Sequence, residues 1–185
     1  RCRDSPVGIV QFVAHTDTAD AAFDGERYHH GTPFRRAVEE GLLDPHRTIQ
    51  IGIRGARSDA DYNDFSHESG MRVIYIEEFY DMGIPAVIEE ARRVVGNGPV
   101  YISFDVDGLD PVYAPGTGTP EVGGFSTHEA QRMVRGLQGL EIIGVDFVEV
   151  APPFDQSGNT ALGGATVTYE NPLFVATAIA SPQKT

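Results

Sequence analysis

Val7-Gly-Ile-Val-Gln-Phe-Val13 is a nearly unbroken apolar run rich in β-branched residues. A strand with one face in water alternates apolar and polar side chains, so this run reads as a strand buried on both faces, as in a parallel sheet covered by helices. It ends at His15 and Asp17. Apolar runs at 48–53, 71–76, 99–104 and 142–150 predict four further strands.

Helical signals lie between these runs. Thr32-Pro33 supplies an N-cap and a first helical residue for a helix over 34–42. Ile84, Val87, Ile88, Ala91 and Val95 share one face of a helix over 84–95. Ser126-Thr-His-Glu129 reads as a capping box opening a helix to about Leu137. A last helix is expected over 159–170, broken by Asn171-Pro172. The polar, Asp-rich stretch 55–70 and the Gly/Pro-rich stretch 107–125 read as long loops, which in compact domains are usually functional. Strand and helix alternate, so the expected fold is α/β: three αβα layers around a mainly parallel sheet.

The 185 residues suit one domain, 1–185, at roughly 100–200 residues per domain. With 41% hydrophobic and 22% charged residues the chain falls among folded proteins rather than disordered ones. The 21 Gly and 12 Pro follow no period of three, which excludes collagen. Fourteen basic residues against 27 acidic ones leave a net charge of −13, and Lys184 is the sole lysine. Nucleic acids, which are held by neutralising phosphates, are poor partners for such a chain, and a cationic small molecule is a better one. A single cysteine, Cys2, cannot close an internal disulfide, which suits a reducing, cytoplasmic setting. No run approaches the roughly 18 apolar residues of a membrane span, so no membrane partner is expected.

Three polar clusters fall at the C-terminal ends of separate apolar runs: His15-Thr-Asp17, Asp105-Val-Asp107 and Glu149. That edge of an open α/β sheet is where ligands bind, because the loops leaving the strands form a crevice there. Residues two apart on an extended strand face the same way, so each pair could grip one ion. Carboxylates with an imidazole form a hard donor set suited to Mn²⁺ or Mg²⁺, without the thiolates of structural zinc sites. An EF-hand reading of Asp105-Val-Asp-Gly-Leu-Asp110 fails, because the sixth residue is Asp110 and the twelfth is Gly116. The same stretch resembles the nucleophile motif of haloacid-dehalogenase-type phosphatases. Those enzymes hold phosphate with a downstream Lys or Arg, which here leaves only Arg132 or Arg135, so that alternative is disfavoured.

Taken in order, His15-Thr-Asp17, His30-Gly-Thr-Pro-Phe34, Ser103-Phe-Asp-Val-Asp-Gly-Leu-Asp-Pro111, Gly116-Thr-Gly-Thr-Pro-Glu-Val-Gly-Gly124 and Val148-Glu-Val-Ala-Pro-Pro153 resemble the ureohydrolases. These are the arginase and agmatinase enzymes, which hydrolyse a guanidinium group to urea and an amine. Tyr113-Ala-Pro-Gly-Thr-Gly-Thr-Pro and Phe154-Asp-Gln-Ser-Gly-Asn-Thr-Ala look closer to the agmatinase and guanidino-acid branch. The resemblance implies an arginase/deacetylase-like fold, a two-manganese centre, a linear guanidino substrate and a homo-oligomer. It implies metal ligation by His15, Asp17, Asp105 and Asp107, with Asp105 bridging. Glu149 matches the carboxylate that pairs with the guanidinium, His30 the proton shuttle to the leaving amine, and Thr119 a substrate-pocket threonine. The loops 18–28 and 55–70 would read the far end of the substrate, with Arg27 and Arg57 available to a carboxylate.

Two features depart from the family. Its second motif opens with a bridging aspartate where this chain has Val13, and its upstream Gly-Gly-Asp-His motif, a source of a histidine ligand, is absent. The expectation is one ion on His15, Asp107 and Asp105, and a weak second site on Asp17 and Asp105. An inactive or single-metal ureohydrolase-like subunit is the alternative to an active hydrolase. The resemblance further implies an N-terminally incomplete domain whose first strands and first ligand lie outside these residues, leaving a sheet edge to be covered. Leu162-Gly-Gly-Ala and Asn171-Pro172 are expected to interrupt the family's regular final helix.

Overall fold

Five strands form one parallel sheet in the order β3-β2-β1-β4-β5. The structure is a computed structural model and describes residues 5–22, 24–55 and 62–180, without the side chains of 171–180; Cys2 and Arg57 lie outside these residues. The strands are β1 (Val7–Phe12), β2 (Leu43–Ile53), β3 (Arg72–Tyr75), β4 (Pro99–Asp105) and β5 (Glu141–Val148). The helices are α1 (Pro33–Glu39), α2 (Asp64–Glu68), α3 (Ile76–Met82), α4 (Ile84–Val95), α5 (Thr127–Gly136) and α6 (Asn159–Ala180). The expected α/β layering is present. Among the described residues no helix is long and apolar enough to cross a membrane.

The strand order places the site. From β1 the chain winds outward through β2 to β3, then returns to β1's other side as β4 and continues to β5. The chain therefore leaves β1 and β4 in opposite directions, and such a switch point opens a crevice at the strands' C-terminal ends. His15 and Asp17 follow β1, and Asp105 closes β4.

The two sheet faces differ. On one, Val10, Phe12, Ile49, Ile51, Ile102 and Phe104 pack with Phe79, Val87, Val95, Met133 and Val167 from α3 to α6. Phe12, Phe104 and Phe147 continue this layer across three strands, with ring centroids 5.3 and 5.2 Å apart. On the other face α1 and α2 cover a smaller cluster around Ile9, Leu43 and Met71. There a polar row, Gln50, Gln11, Ser103 and Asp146, runs across β2, β1, β4 and β5 in register. Gln50 Nε2 donates to Gln11 Oε1 at 2.7 Å, and Ser103 Oγ to Asp146 Oδ1 at 2.8 Å. Tyr101 Oη donates to the other Asp146 oxygen at 3.0 Å.

Several expectations shift. β2 begins at Leu43 rather than 48, and α1 stops at Glu39. Thr32 stands at the N-cap, but its hydroxyl bonds the carbonyls of Arg27 and His29 instead of capping α1. The capping box at Ser126 and Glu129 forms as expected. The stretch read as a loop contains α2, and α3 starts directly where β3 ends. The interruption expected in the last helix does not occur: α6 runs on through Asn171 and Pro172 to Ala180. An internal proline forfeits one intrahelical bond and kinks the helix without forbidding it. Gly164 has a packing reason, since a Cβ there would collide with the Phe147 ring.

Candidate functional site

The two i, i+2 pairs converge, but not by the pleat of an extended strand. Asp17 sits in the left-handed region with φ 51°, and Asp107 lies in a 3-10 turn, Val106–Gly108, that follows β4. Asp105 caps that turn, its Oδ1 accepting from the Asp107 amide at 2.9 Å. The turned-back Asp107 then reaches β1's exit. Its Oδ1 accepts from the Ala14 amide at 2.8 Å and its Oδ2 meets His15 Nδ1 at 2.8 Å. Thr119 Oγ1 lies 3.4 Å from the same Oδ2. The other ring nitrogen, His15 Nε2, is 3.3 Å from Glu121 Oε1. The ring lies so close over Gly55 that a Cβ there would collide with it.

These groups perturb one another. Burial pushes the Asp105 carboxyl far above the usual carboxylate range, and the neighbouring Asp107 and Asp17 charges push it further. Burial alone would lower His15, but the bond to Asp107 and the charges of Asp107 and Asp17, with Glu121, outweigh it and raise the imidazole pKa. Buried carboxylates crowded at one edge, with an imidazole between two of them, form a site that a cation would relieve.

Arg54, just past β2, ties the surrounding backbone together. Its guanidinium donates to the carbonyls of Asp107 and Glu121, both at 2.7 Å, and to those of Val122, Gly52, Gly108 and Leu109 at 3.1 to 3.3 Å. Burial lowers its pKa, opposed by Asp107, Asp110 and Glu121. Asp110 accepts from the amides of Gly123 and Gly124 at 2.7 and 3.2 Å, and Tyr80 Oη donates to the Gly124 carbonyl at 2.9 Å.

The structure therefore brings His15, Asp105, Asp107 and Thr119 together, with Asp17 in electrostatic reach. Glu149 stands at the end of β5, exposed and left-handed at φ 64°. His30 is exposed in the loop before α1, its ring tilted against that of His29 with centroids 3.8 Å apart. No hydrogen bond joins either to the His15 cluster among those described. Arg27 is engaged by Glu39 at 2.9 Å.

A two-ion centre does not fit these residues. Val13 is fully buried in an apolar cluster with Ile53 and Val73, away from any ligating role. His15 Nδ1 faces Asp107 instead of sharing a common point with Asp105 and Asp17. Among the described residues, no group of three or more His, Cys, Asp or Glu is arranged to hold a metal ion.

Two residues of this site were not legible as such from the sequence. Glu121 is a lone acid inside a Gly/Pro-rich loop. Arg54 works through backbone carbonyls, which no motif records; its one signal was a cation directly after a buried apolar strand on an acid-rich edge.

The sequence profile of the Arginase family matches residues 1–172. This chain belongs to the arginase family. Among curated proteins it is 60% identical over 168 residues to the guanidinopropionase of Pseudomonas aeruginosa, covering 91% of this chain and 53% of that protein. It is 52% identical over 168 residues to the mitochondrial agmatinase of Gallus gallus, covering 91% of this chain and 49% of that one. These relatives place it on the agmatinase and guanidino-acid-hydrolase side of the arginase family. The solved structure of proclavaminate amidino hydrolase from Streptomyces clavuligerus superposes with a TM-score of 0.86 at 40% identity, over 91% of this chain and 56% of that one. The arginase-family fold is thus shared, and the chain spans about half the length of the curated relatives it matches. With the family established, the phosphatase reading of Asp105-Val-Asp-Gly is left without support.

Proposed function

We propose that this chain is a ureohydrolase-like unit that engages a linear guanidino compound at the β1/β4 edge and holds at most one divalent ion. The observation that carries this reading is the pairing of His15 Nδ1 with Asp107 Oδ2, together with Val13 packed among apolar side chains. Asp105 and Asp107, with His15 once that bond gives way, are the donors for one manganese ion. Such an ion supplies a bound water acidified enough to ionise near neutral pH.

The remaining roles belong to this chain's own residues. Glu149, a carboxylate at the crevice rim, matches a planar cation with a fork of N–H donors. Thr119 would hold the substrate beside Asp107. His30, an imidazole in a loop open to solvent, would deliver a proton to a leaving amine only if the chain turns over and releases urea.

A second reading, a manganese-dependent amidinohydrolase releasing urea, is supported by the 60% identity to a guanidinopropionase. Elemental analysis after Mn²⁺ loading, paired with urea release from 3-guanidinopropionate, 4-guanidinobutyrate and agmatine, separates the two. The expected result is no more than one ion per chain and no urea above the blank. Two ions per chain with turnover would overturn the first reading in favour of the second.

A further inference from the structure

One guanidinium nitrogen stands at the middle of the site. Arg54 Nη2 donates at 2.7 Å to the Asp107 carbonyl and at 2.7 Å to the Glu121 carbonyl. The side chains of those same two residues take the two nitrogens of the His15 ring, at 2.8 and 3.3 Å. The two residues stand near opposite ends of the one connection from β4 to α5, fourteen positions apart in the chain. The Asp110 carboxylate and the backbone pairing of Gly108 and Asp110 with Phe125 close this connection just beyond them, and Arg54 is the side chain that bonds both residues at their own carbonyls. Nε adds the Val122 carbonyl at 3.1 Å, and Nη1 and Nη2 those of Gly108 and Leu109, both at 3.3 Å, so one segment is gripped at three successive residues and the other at two.

We propose that Arg54 is the positioning residue of this site and that Glu121 is the second partner of the His15 imidazole. Arg54, acting with the Asp110 and Phe125 contacts, sets the gap between the Asp107 and Glu121 segments, and that gap fixes the ring. A carboxylate on the far nitrogen of a potential metal-ligating histidine orients the ring and raises its basicity. Glu121 fills that place on Nε2, leaving Nδ1 toward Asp107. The inference rests on the proposal that this edge is the functional site. A lysine is not equivalent, because its single ammonium could meet the two carbonyls on Nη2 but would leave those that Nε and Nη1 hold, Val122 and Gly108, without a donor.

The test reads the ring directly and needs no metal. In the native chain, without metal, the His15 ring is expected as one set of ring-nitrogen and carbon-bound ring-proton resonances in long-range ¹H–¹⁵N spectra, which read the ring whichever nitrogen carries a proton. Arg54→Met should shift and broaden that set while the spectrum of the β1 to β4 core is retained, and Arg54→Lys should shift it less. Glu121→Gln, which keeps the carbonyl that Arg54 grips, should move the Nε2 resonance more than that of Nδ1. In Mn²⁺ titrations of the same proteins, the Arg54 variants should bind about 10- to 100-fold more weakly than the native chain. A role limited to loop stability would lower the melting temperature yet leave the ring resonances in place; that outcome in a folded Arg54→Met protein overturns the proposal. So does a Glu121→Gln protein with unchanged ring signals. If the native chain takes up no Mn²⁺, the single-ion reading fails, while the ring comparison still decides the role of Arg54.

Discussion

β4 and β5 are neighbours in one sheet, pair over seven positions and are both rich in apolar residues, yet they live in different environments. β4 is buried along nearly its whole length and ends in Asp105, whose neighbour Asp107 is knitted to β1 and to two loops. β5 pairs on one side only; Ile143 is 42% and Val148 37% exposed, and Glu149 beyond it meets solvent. The half of the site on β1 and β4 is therefore set by the core, whereas Glu149 relies on the bridge of neighbouring Val150 to Thr117 and the His30 loop on the Thr32 hydroxyl and the Ala19–Gly31 backbone bond. Precision in a functional site follows the packing of the elements beneath it.

Mutation can break that contrast. The largest effect is expected for Phe104→Ala, which empties a fully buried position between Phe12 and Phe147 and should cost about 3–5 kcal/mol in denaturant melts. Ile143→Ala on β5 should stay within about 0.5 kcal/mol, as exposed substitutions usually do; equal losses at the two positions would erase the distinction. Gly164→Ala pushes a methyl into the Phe147 ring and should cost about 1–3 kcal/mol, a measure of how firmly α6 seats on β5. A negligible cost would make that contact looser than the geometry indicates.

At the buried half, Asp105→Asn removes a carboxyl crowded by two others while keeping an acceptor for the Asp107 amide. With chelator present at neutral pH the variant should be more stable than the native chain by about 1–2 kcal/mol, and it should lose any stabilisation by Mn²⁺. A destabilised variant would mean that the carboxylates do not repel.

The smallest effect belongs to the opposite edge, where Arg72 of β3 binds Glu90 of α4 at 3.1 Å. Hydrogen bonds from Arg93 first, against a burial penalty, and then from Arg72 hold Glu90 down at about 2, against an ordinary 4.5. A lowered carboxylate pKa stabilises the fold above the unfolded value and loses that contribution as pH falls through the folded one. Native stability should therefore decline between pH 4.5 and about 2 in a way that Glu90→Gln flattens. Because Arg93 is largely exposed, the contribution at neutral pH should be about 1 kcal/mol.

The strands, the covered parallel sheet and the capped α5 were legible because each rests on a local pattern: unbroken apolar runs, or Ser126 three residues before Glu129. α2 and α3 were not, since helices of five and seven residues are too short for a 3.6-residue period to declare itself. Pro172 misled for a different reason, a local propensity overridden by the helix around it. In the site, His15, Asp105 and Asp107 could be read from strand ends. That His15 and Asp107 bind each other, and that Glu121 and Arg54 join them, depends on loops brought together from across the chain.

The row of Gln50, Gln11, Ser103 and Asp146 has a consequence for assembly of the sheet. Each member pairs laterally only when its strand is in the native register, and a slip of one residue would send an amide or carboxylate into the phenylalanine layer on the opposite face. The hydrophobic runs alone would tolerate such a slip, because both of their faces are apolar. The row thus acts as an alignment mark, so that whatever brings β1 beside β4 also brings His15 level with Asp107.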